Sequence, residues 1–152
     1  MYSDLKAEIW DSLLKNITNR LELCRSEKDA AQDAANNEEK SSAGDKYETG
    51  RAMGQRQVAE LQAQLAQWQQ MLDNCLSWKT KGPSLRVLPG SLIRLGGQWM
   101  LVGPGLGICE TPSGLPFLAV SVSAPVGRML IGRQKGERVV FQGKETLVED
   151  VL

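Results

Sequence analysis

Residues 10–35 read WDSLLKNITNRLELCRSEKDAAQDAA, and this segment more than any other sets the architecture of the chain. Apolar side chains recur in it by alternating steps of four and three residues, which is the spacing of a coiled-coil seam. Only Lys28 interrupts the apolar set. The seam positions are Trp10, Leu14, Ile17, Leu21, Cys24, Lys28, Ala31 and Ala35. The pattern predicts a long first helix, from about residue 3 to residue 37.

A second segment repeats the same alternation and predicts a second long helix. Its seam positions are Val58, Leu61, Leu65, Trp68, Leu72 and Cys75. Between the two seams, residues 36–50 read NNEEKSSAGDKYETG, a stretch rich in residues that cap helices or turn the chain. We therefore predict that residues 1–80 form a long antiparallel α-helical hairpin, a coiled coil that projects into solvent and has its tip near residues 38–48.

Residues 83–152 differ in composition, since they contain all six prolines and most of the glycines. After Gly82 and Pro83 the apolar periodicity changes to that of strands, which we predict at residues 91–95, 99–102, 117–122, 138–141 and 146–152. Pro125 can open a short helix over residues 125–130. The order predicts an α+β protein in which the hairpin is followed by a small β-rich domain with one short helix.

The composition excludes several function classes. Histidine is absent, which removes the usual neutral-pH general base, and the three cysteines are too far apart for a C-x-x-C metal site. Net charge is −2 over residues 1–82 and +2 over residues 83–152, so there is no basic stripe for independent binding of nucleic acid. No apolar run approaches a membrane span or a signal core. We expect a cytoplasmic protein with reduced thiols that is not an enzyme on its own and reaches DNA or RNA through a protein partner.

The predicted tip is acidic. Residues 27–48 contain seven carboxylates and three lysines, a local charge of −4. Asp45 and Glu48 are three residues apart, so they share a face if the second helix begins near Gly44, and both can reach one cation. Mg²⁺ is usually held by one or two carboxylates and keeps several waters. The same spacing fits a helix-capping box, so the metal and capping interpretations both stay open.

Residues 123–139, SAPVGRMLIGRQKGERV, resemble the signature of the carboxy-terminal domain of the bacterial Gre-type transcript-cleavage factors (GreA/GreB). The segment Pro89–Ile93 is similar to the strand-opening G-S-x-V of the same family, and a helical hairpin precedes both. The resemblance implies an FKBP-like second domain that docks on RNA polymerase through Ser123, Pro125, Gly127 and Arg128. It also implies that the hairpin enters the secondary channel of the polymerase.

In that family the acidic tip helps the polymerase to hold its catalytic Mg²⁺ and to cleave backtracked RNA, so the factor needs no stably bound cofactor. The motif G-D-x-x-E falls on residues 44–48 and implies that Asp45 and Glu48 are the catalytic and metal-binding carboxylates. A second register aligns the family's E-Y-x-x-x-R with residues 47–51 and places Lys40 and Ala43 at the two acidic positions of the tip. A shift of one residue would place Glu39 at one of these positions, and Glu38 is a further alternative. The second register favours a Gre-like regulator that occupies the polymerase channel without stimulating cleavage.

The expected partners are RNA polymerase and, through it, the nascent RNA, with no membrane contact and with the chain as a monomer. Two other hypotheses compete. An FKBP-like folding factor would show prolyl isomerase activity, although Trp99, Phe117 and Phe141 are few aromatics for a prolyl pocket and we predict core positions for them. A dimerisation module would pair its hairpins between chains. The basic residues Arg128, Arg133, Lys135 and Arg138 are either a partner-facing patch or ordinary solvated surface.

Overall fold

The computed structural model describes residues 2–39 and 45–152, and the side chains within residues 3–37 and 50–152. It is an α+β fold, as predicted, in which two long helices precede a six-stranded mixed sheet and a short helix. The elements are α1 (Tyr2–Glu39), α2 (Asp45–Lys79), β1 (Leu92–Leu95), β2 (Gln98–Gly103), β3 (Gly107–Glu110), β4 (Pro116–Ser121), α3 (Pro125–Leu130), β5 (Arg138–Phe141) and β6 (Lys144–Val151). No helix in these described ranges is long and apolar enough to cross a membrane.

The chain divides into two compact units. One comprises residues 15–72, and the other combines residues 1–14 with residues 73–152. The first residues of α1 and the last residues of α2 therefore belong to the same compact unit as the strands. The change in composition, in contrast, predicts a boundary between the helices and the strands near residues 80–83. The division into domains 1–80 and 83–152 stays a prediction.

Within residues 15–72 the two seams contact each other. Leu21, Cys24, Ala31 and Ala35 are buried, and the Cys24 thiol lies 3.5 Å from the carbonyl oxygen of Leu61, to which it donates a hydrogen bond. Further along α1, Ala35 lies so close to Gly54 that a Cβ atom at Gly54 would be 3.1 Å from the Cβ of Ala35. Later residues of α1 therefore contact earlier residues of α2, and small side chains allow a close approach.

The sheet has the strand order β3-β4-β2-β1-β6-β5. Its β2–β4 pair is parallel, and the other neighbouring strands are antiparallel. On one face Met100 and Val102 of β2 belong to a core cluster with Leu130 of α3 and Val139 of β5. Because alternate residues of a strand face opposite sides, Leu101 and Gly103 belong to the other face. Every residue of β2 after Gln98 is buried, so both faces of this strand are covered.

The second face of the sheet meets the outer ends of α1 and α2. A Cβ atom at Gly103 would lie 3.3 Å from the indole of Trp78 and 3.7 Å from that of Trp10, and a Cβ at Gly90 would lie 2.9 Å from the carbonyl oxygen of Trp78. Gly90 also has a φ of +98°. Glu8 accepts hydrogen bonds from the Ser113 amide (3.2 Å) and hydroxyl (2.7 Å). Two indoles and two glycines thus bring the helix ends against the sheet.

Most predicted elements are confirmed, with small changes in their ends. The short helix at residues 125–130 has the predicted bounds, and α1 ends two residues later than predicted, at Glu39. Strand β3 was not predicted. Its four residues are exposed or partly exposed, with Ile108 85% exposed, so this edge strand lacks the alternation of buried and exposed residues that identifies strands in a sequence.

All three cysteines are free, with Cys24 and Cys75 buried and Cys109 partly exposed. Burial raises the pKa of the Cys75 thiol from 9.0 to about 11. Since the thiolate is the reactive form, this shift lowers the reactive fraction at pH 8 about a hundredfold. We expect iodoacetamide at pH 8 to alkylate Cys109 first and Cys75 only after unfolding in urea, as measured by peptide mass spectrometry. Equal rates at Cys75 and Cys109 in the folded protein would contradict the buried position of Cys75.

Candidate functional site

The segment that leads from β4 into α3 is held by local hydrogen bonds. The Ser121 and Ser123 hydroxyl oxygens lie 3.0 Å apart, and the Ser121 hydroxyl also accepts a hydrogen bond from the Ser123 amide (3.3 Å). The Ala124 amide donates to the Ser121 carbonyl (3.2 Å). Pro125 then begins α3, where its fixed φ suits a first helical position. Ser123 and Pro125 consequently lie on the surface with their side chains exposed.

Gly127 has the opposite environment, since it is buried against the end of β4. A Cβ atom at this position would overlap the carbonyl oxygen of Ser121 and would lie 3.2 Å from that of Val122. Those atoms are backbone and cannot rotate away. Gly127 therefore lets α3 approach the sheet closely, and its role is to position Ser123, Pro125 and Arg128 rather than to contact a partner itself.

The residues after α3 are joined to the segment before β1. Gly132 donates its amide hydrogen to the Val87 carbonyl (2.8 Å), and Val87 donates to the carbonyl of Arg133 (2.9 Å). The Arg86 guanidinium donates to the Gly132 carbonyl (3.0 Å). Sequence patterns do not indicate this link, because Arg86 is an isolated residue 46 positions from its partner. This link holds the end of α3 in place, and the hydrogen bonds among Ser121, Ser123 and Ala124 hold its beginning.

The four basic residues of this region do not share one environment. The guanidinium of Arg133 lies 3.4 Å from Glu137, and the Lys135 ammonium lies 3.0 Å from Asp150. Arg138 lies on β5 beside Val139, which packs towards α3, so the alternation of the strand directs Arg138 to the opposite face. Arg128 is exposed on α3 and has no acidic partner within the described residues. Arg128 is therefore the exposed basic residue that lies close to Ser123 and Pro125 along the chain.

We refer to Ser123, Pro125 and Arg128 as the α3 surface. It comprises a hydroxyl, an apolar ring and a guanidinium, all exposed within six residues. Arginine is enriched at protein interfaces because its planar group forms several directed hydrogen bonds. The α3 surface is therefore suited to recognition of another protein by a rigid, mixed polar and apolar contact.

The predicted acidic residues lie where the two helices end and begin. Glu38 and Glu39 belong to the last turn of α1, and Asp45 and Glu48 belong to the first turn of α2. The predicted start of the second helix near Gly44 thus agrees with its first residue, Asp45. The side chains of these four residues lie outside the described residues, as do Lys40 and Ala43 of the alternative register.

Within residues 3–37 and 50–152, no three histidine, cysteine or acidic side chains are grouped as metal ligands. Asp45 and Glu48 lie outside these ranges, so this result does not bear on them. No protein-family model matches the sequence, and no curated protein matches it at a significant level.

Proposed function

We propose that this chain is a transcription elongation factor of the Gre type that binds RNA polymerase and stimulates cleavage of backtracked RNA. In this proposal α1 and α2 form a hairpin that enters the secondary channel of the polymerase, and the sheet with α3 is an FKBP-like docking domain. The polymerase performs the hydrolysis at its own active site, and the factor supplies two carboxylates.

The observation that carries the proposal is the position of the acidic residues at the end of the long helix α1 and the beginning of the long helix α2. α1 has 38 residues and α2 has 35, which correspond to about 57 Å and 53 Å at 1.5 Å per residue. The side chains along their seams are buried or partly buried. The start of α2 at Asp45 favours the G-D-x-x-E register, in which Asp45 and Glu48 stand one helical turn apart.

The close approach of Ala35 to Gly54 gives further support. These residues lie in the last part of α1 and the first part of α2, near the acidic residues. Small side chains there leave little bulk around the helix pair, since its cross-section is set by the distance between the two backbones. A pair of helices that is slender near the proposed tip is suited to a confined channel.

Asp45 and Glu48 are the residues that would help to hold the catalytic Mg²⁺ of the polymerase. Two carboxylates fit a Mg²⁺ ion that keeps several waters and takes its remaining ligands from the polymerase. The ion, when held there, would polarise a bound water and stabilise the charge that develops on the phosphate. A carboxylate of this chain can also accept a hydrogen bond from the attacking water and orient it towards the phosphorus atom.

Replacing Arg128 with Ala is expected to weaken binding of the full-length chain to RNA polymerase about tenfold, equivalent to about 1.4 kcal/mol, because an interface arginine often contributes that much. The measurement is a titration of labelled factor with core polymerase at fixed salt. Lys144→Ala removes one positive charge from an exposed position beside the β5–β6 turn, outside the α3 surface, and serves as the control. Equal affinities of the two variants would exclude the α3 surface from docking.

A further inference from the structure

A cavity lies where the beginning of α1 approaches the end of α2 and the last strand. Its volume is about 450 Å³, within the range of small-molecule sites. The lining residues are Ser3, Lys6, Ala7, Trp10, Lys79, Lys81, Pro83 and Leu152. All of them belong to the compact unit that combines residues 1–14 with residues 73–152. The cavity is far along the chain from the proposed acidic tip, and none of its residues belongs to the α3 surface.

The wall of this cavity is mainly apolar. Trp10 is 2% exposed, so its indole is fixed in place by the surrounding structure, and Ala7, Pro83 and Leu152 add aliphatic surface. The indole nitrogen of Trp10 is buried and has no hydrogen-bond partner among the described residues. A rigid aromatic and aliphatic wall favours a ligand with an apolar body.

The charged side chains that line the cavity all have one sign. Three lysines contribute to the lining and no acidic side chain does. Lys79 is 3.0 Å from Asp11, which balances its charge, whereas Lys6 and Lys81 have no acidic partner within the described residues. Partial burial removes hydration from the Lys6 ammonium group and thereby lowers its pKa. An anion in the cavity would provide that missing partner.

We propose that this cavity binds a small molecule with an apolar body and a single carboxylate, whose carboxylate pairs with Lys6 and Lys81 while its apolar part packs on Trp10. The three lysine side chains of the lining, two of which have no acidic partner within the described residues, provide the charge complementarity. This site is independent of transcript cleavage, so neither proposal depends on the other.

The test uses octanoate as the probe and octanamide, which has the same shape without the charge, as its control. The full chain labelled with ¹⁵N is titrated with each compound, and the indole N–H resonances of the tryptophans are recorded. We expect saturable binding of octanoate with a shift of the Trp10 resonance, and binding of octanamide at least tenfold weaker. That ratio corresponds to about 1.4 kcal/mol, near the lower end for a hydrogen bond to a charged group.

Lys6→Met and Lys81→Met separate recognition of the anion from mere occupation of an apolar space. Each substitution is expected to weaken octanoate binding about tenfold and to leave octanamide binding unchanged. Lys15→Met, an exposed position of α1 outside the cavity, is the matched control and should bind octanoate as the unmodified chain does. Thermal unfolding of every variant checks that it is folded.

Three results would overturn the proposal. They are the absence of saturable octanoate binding to the folded chain, equal affinity for octanoate and octanamide, and equal weakening by Lys6→Met and Lys15→Met. If Lys6→Met fails to fold, Lys81→Met decides the same question, because Lys81 is exposed and lies outside the regular helices and strands.

Discussion

Replacing Asp45 with Asn and Glu48 with Gln in the same chain is expected to reduce stimulated cleavage of backtracked RNA by about 10²-fold or more, the usual range for loss of a positioned acid–base group. Both substitutions keep the size of the side chain and remove its charge. In the proposed mechanism the variant still fills the channel, but it no longer helps to hold Mg²⁺ or accepts a hydrogen bond from the attacking water as an anion. Affinity for RNA polymerase should remain unchanged, because the residues proposed for docking are not altered.

The measurement is the rate of RNA shortening in a stalled, backtracked elongation complex at saturating factor. Asp29→Asn combined with Glu60→Gln removes two charges from exposed positions of α1 and α2 and should keep full activity. Equal stimulation by the tip variant and the unmodified chain would eliminate the acidic-tip mechanism. If the unmodified chain binds the polymerase and slows elongation without shortening RNA, the channel-occupying regulator replaces the cleavage factor as the function.

Replacing Gly127 with Ala is expected to lower the free energy of unfolding by about 3 kcal/mol. The added methyl group would collide with the Ser121 carbonyl and crowd that of Val122, so α3 must move away from β4, and overpacking of this kind typically costs about 1–3 kcal/mol or more. Alanine within a helix normally gains up to about 1 kcal/mol over glycine. The expected loss of stability is therefore opposite to the gain that helix propensity alone predicts. A measured loss would support the close approach of α3 to β4.

Urea unfolding followed by circular dichroism measures this change. Gly82→Ala is the matched control, because no atom lies within 4 Å of a Cβ at that position, and it should leave stability nearly unchanged. A Gly127→Ala chain as stable as the control would show that α3 does not approach β4 as closely as described. If the variant folds at low temperature, displaced Pro125 and Arg128 should also weaken polymerase binding.

The helices and α3 could be predicted because their signals are local. The alternation of seam residues such as Leu21 and Leu61 specifies a helix without reference to the rest of the chain. Pro125 sets the start of α3 in the same local way. Strand β3 could not be predicted, since Ile108 and its neighbours are exposed and the strand is specified only by pairing with β4.

The candidate site also has features that depend on local sequence and others that depend on residues distant along the chain. Exposure of Ser123, Pro125 and Arg128 follows from a turn and a short helix, which a sequence can indicate. The bond from Arg86 to Gly132 and the cavity beside Lys6 depend on residues brought together from distant parts of the chain. No periodicity within a window of residues contains that information, because only folding brings these residues together.

The compact unit that joins residues 1–14 to residues 73–152 has a consequence for biosynthesis. Ile9, Trp10 and Leu13 leave the ribosome before residues 73–152 of their unit are translated. During that interval these apolar side chains are available to chaperones or to other nascent chains. Residues 15–72 contain their own contacts and can become ordered first. Folding would then finish when residues 1–14 pack against residues 73–152.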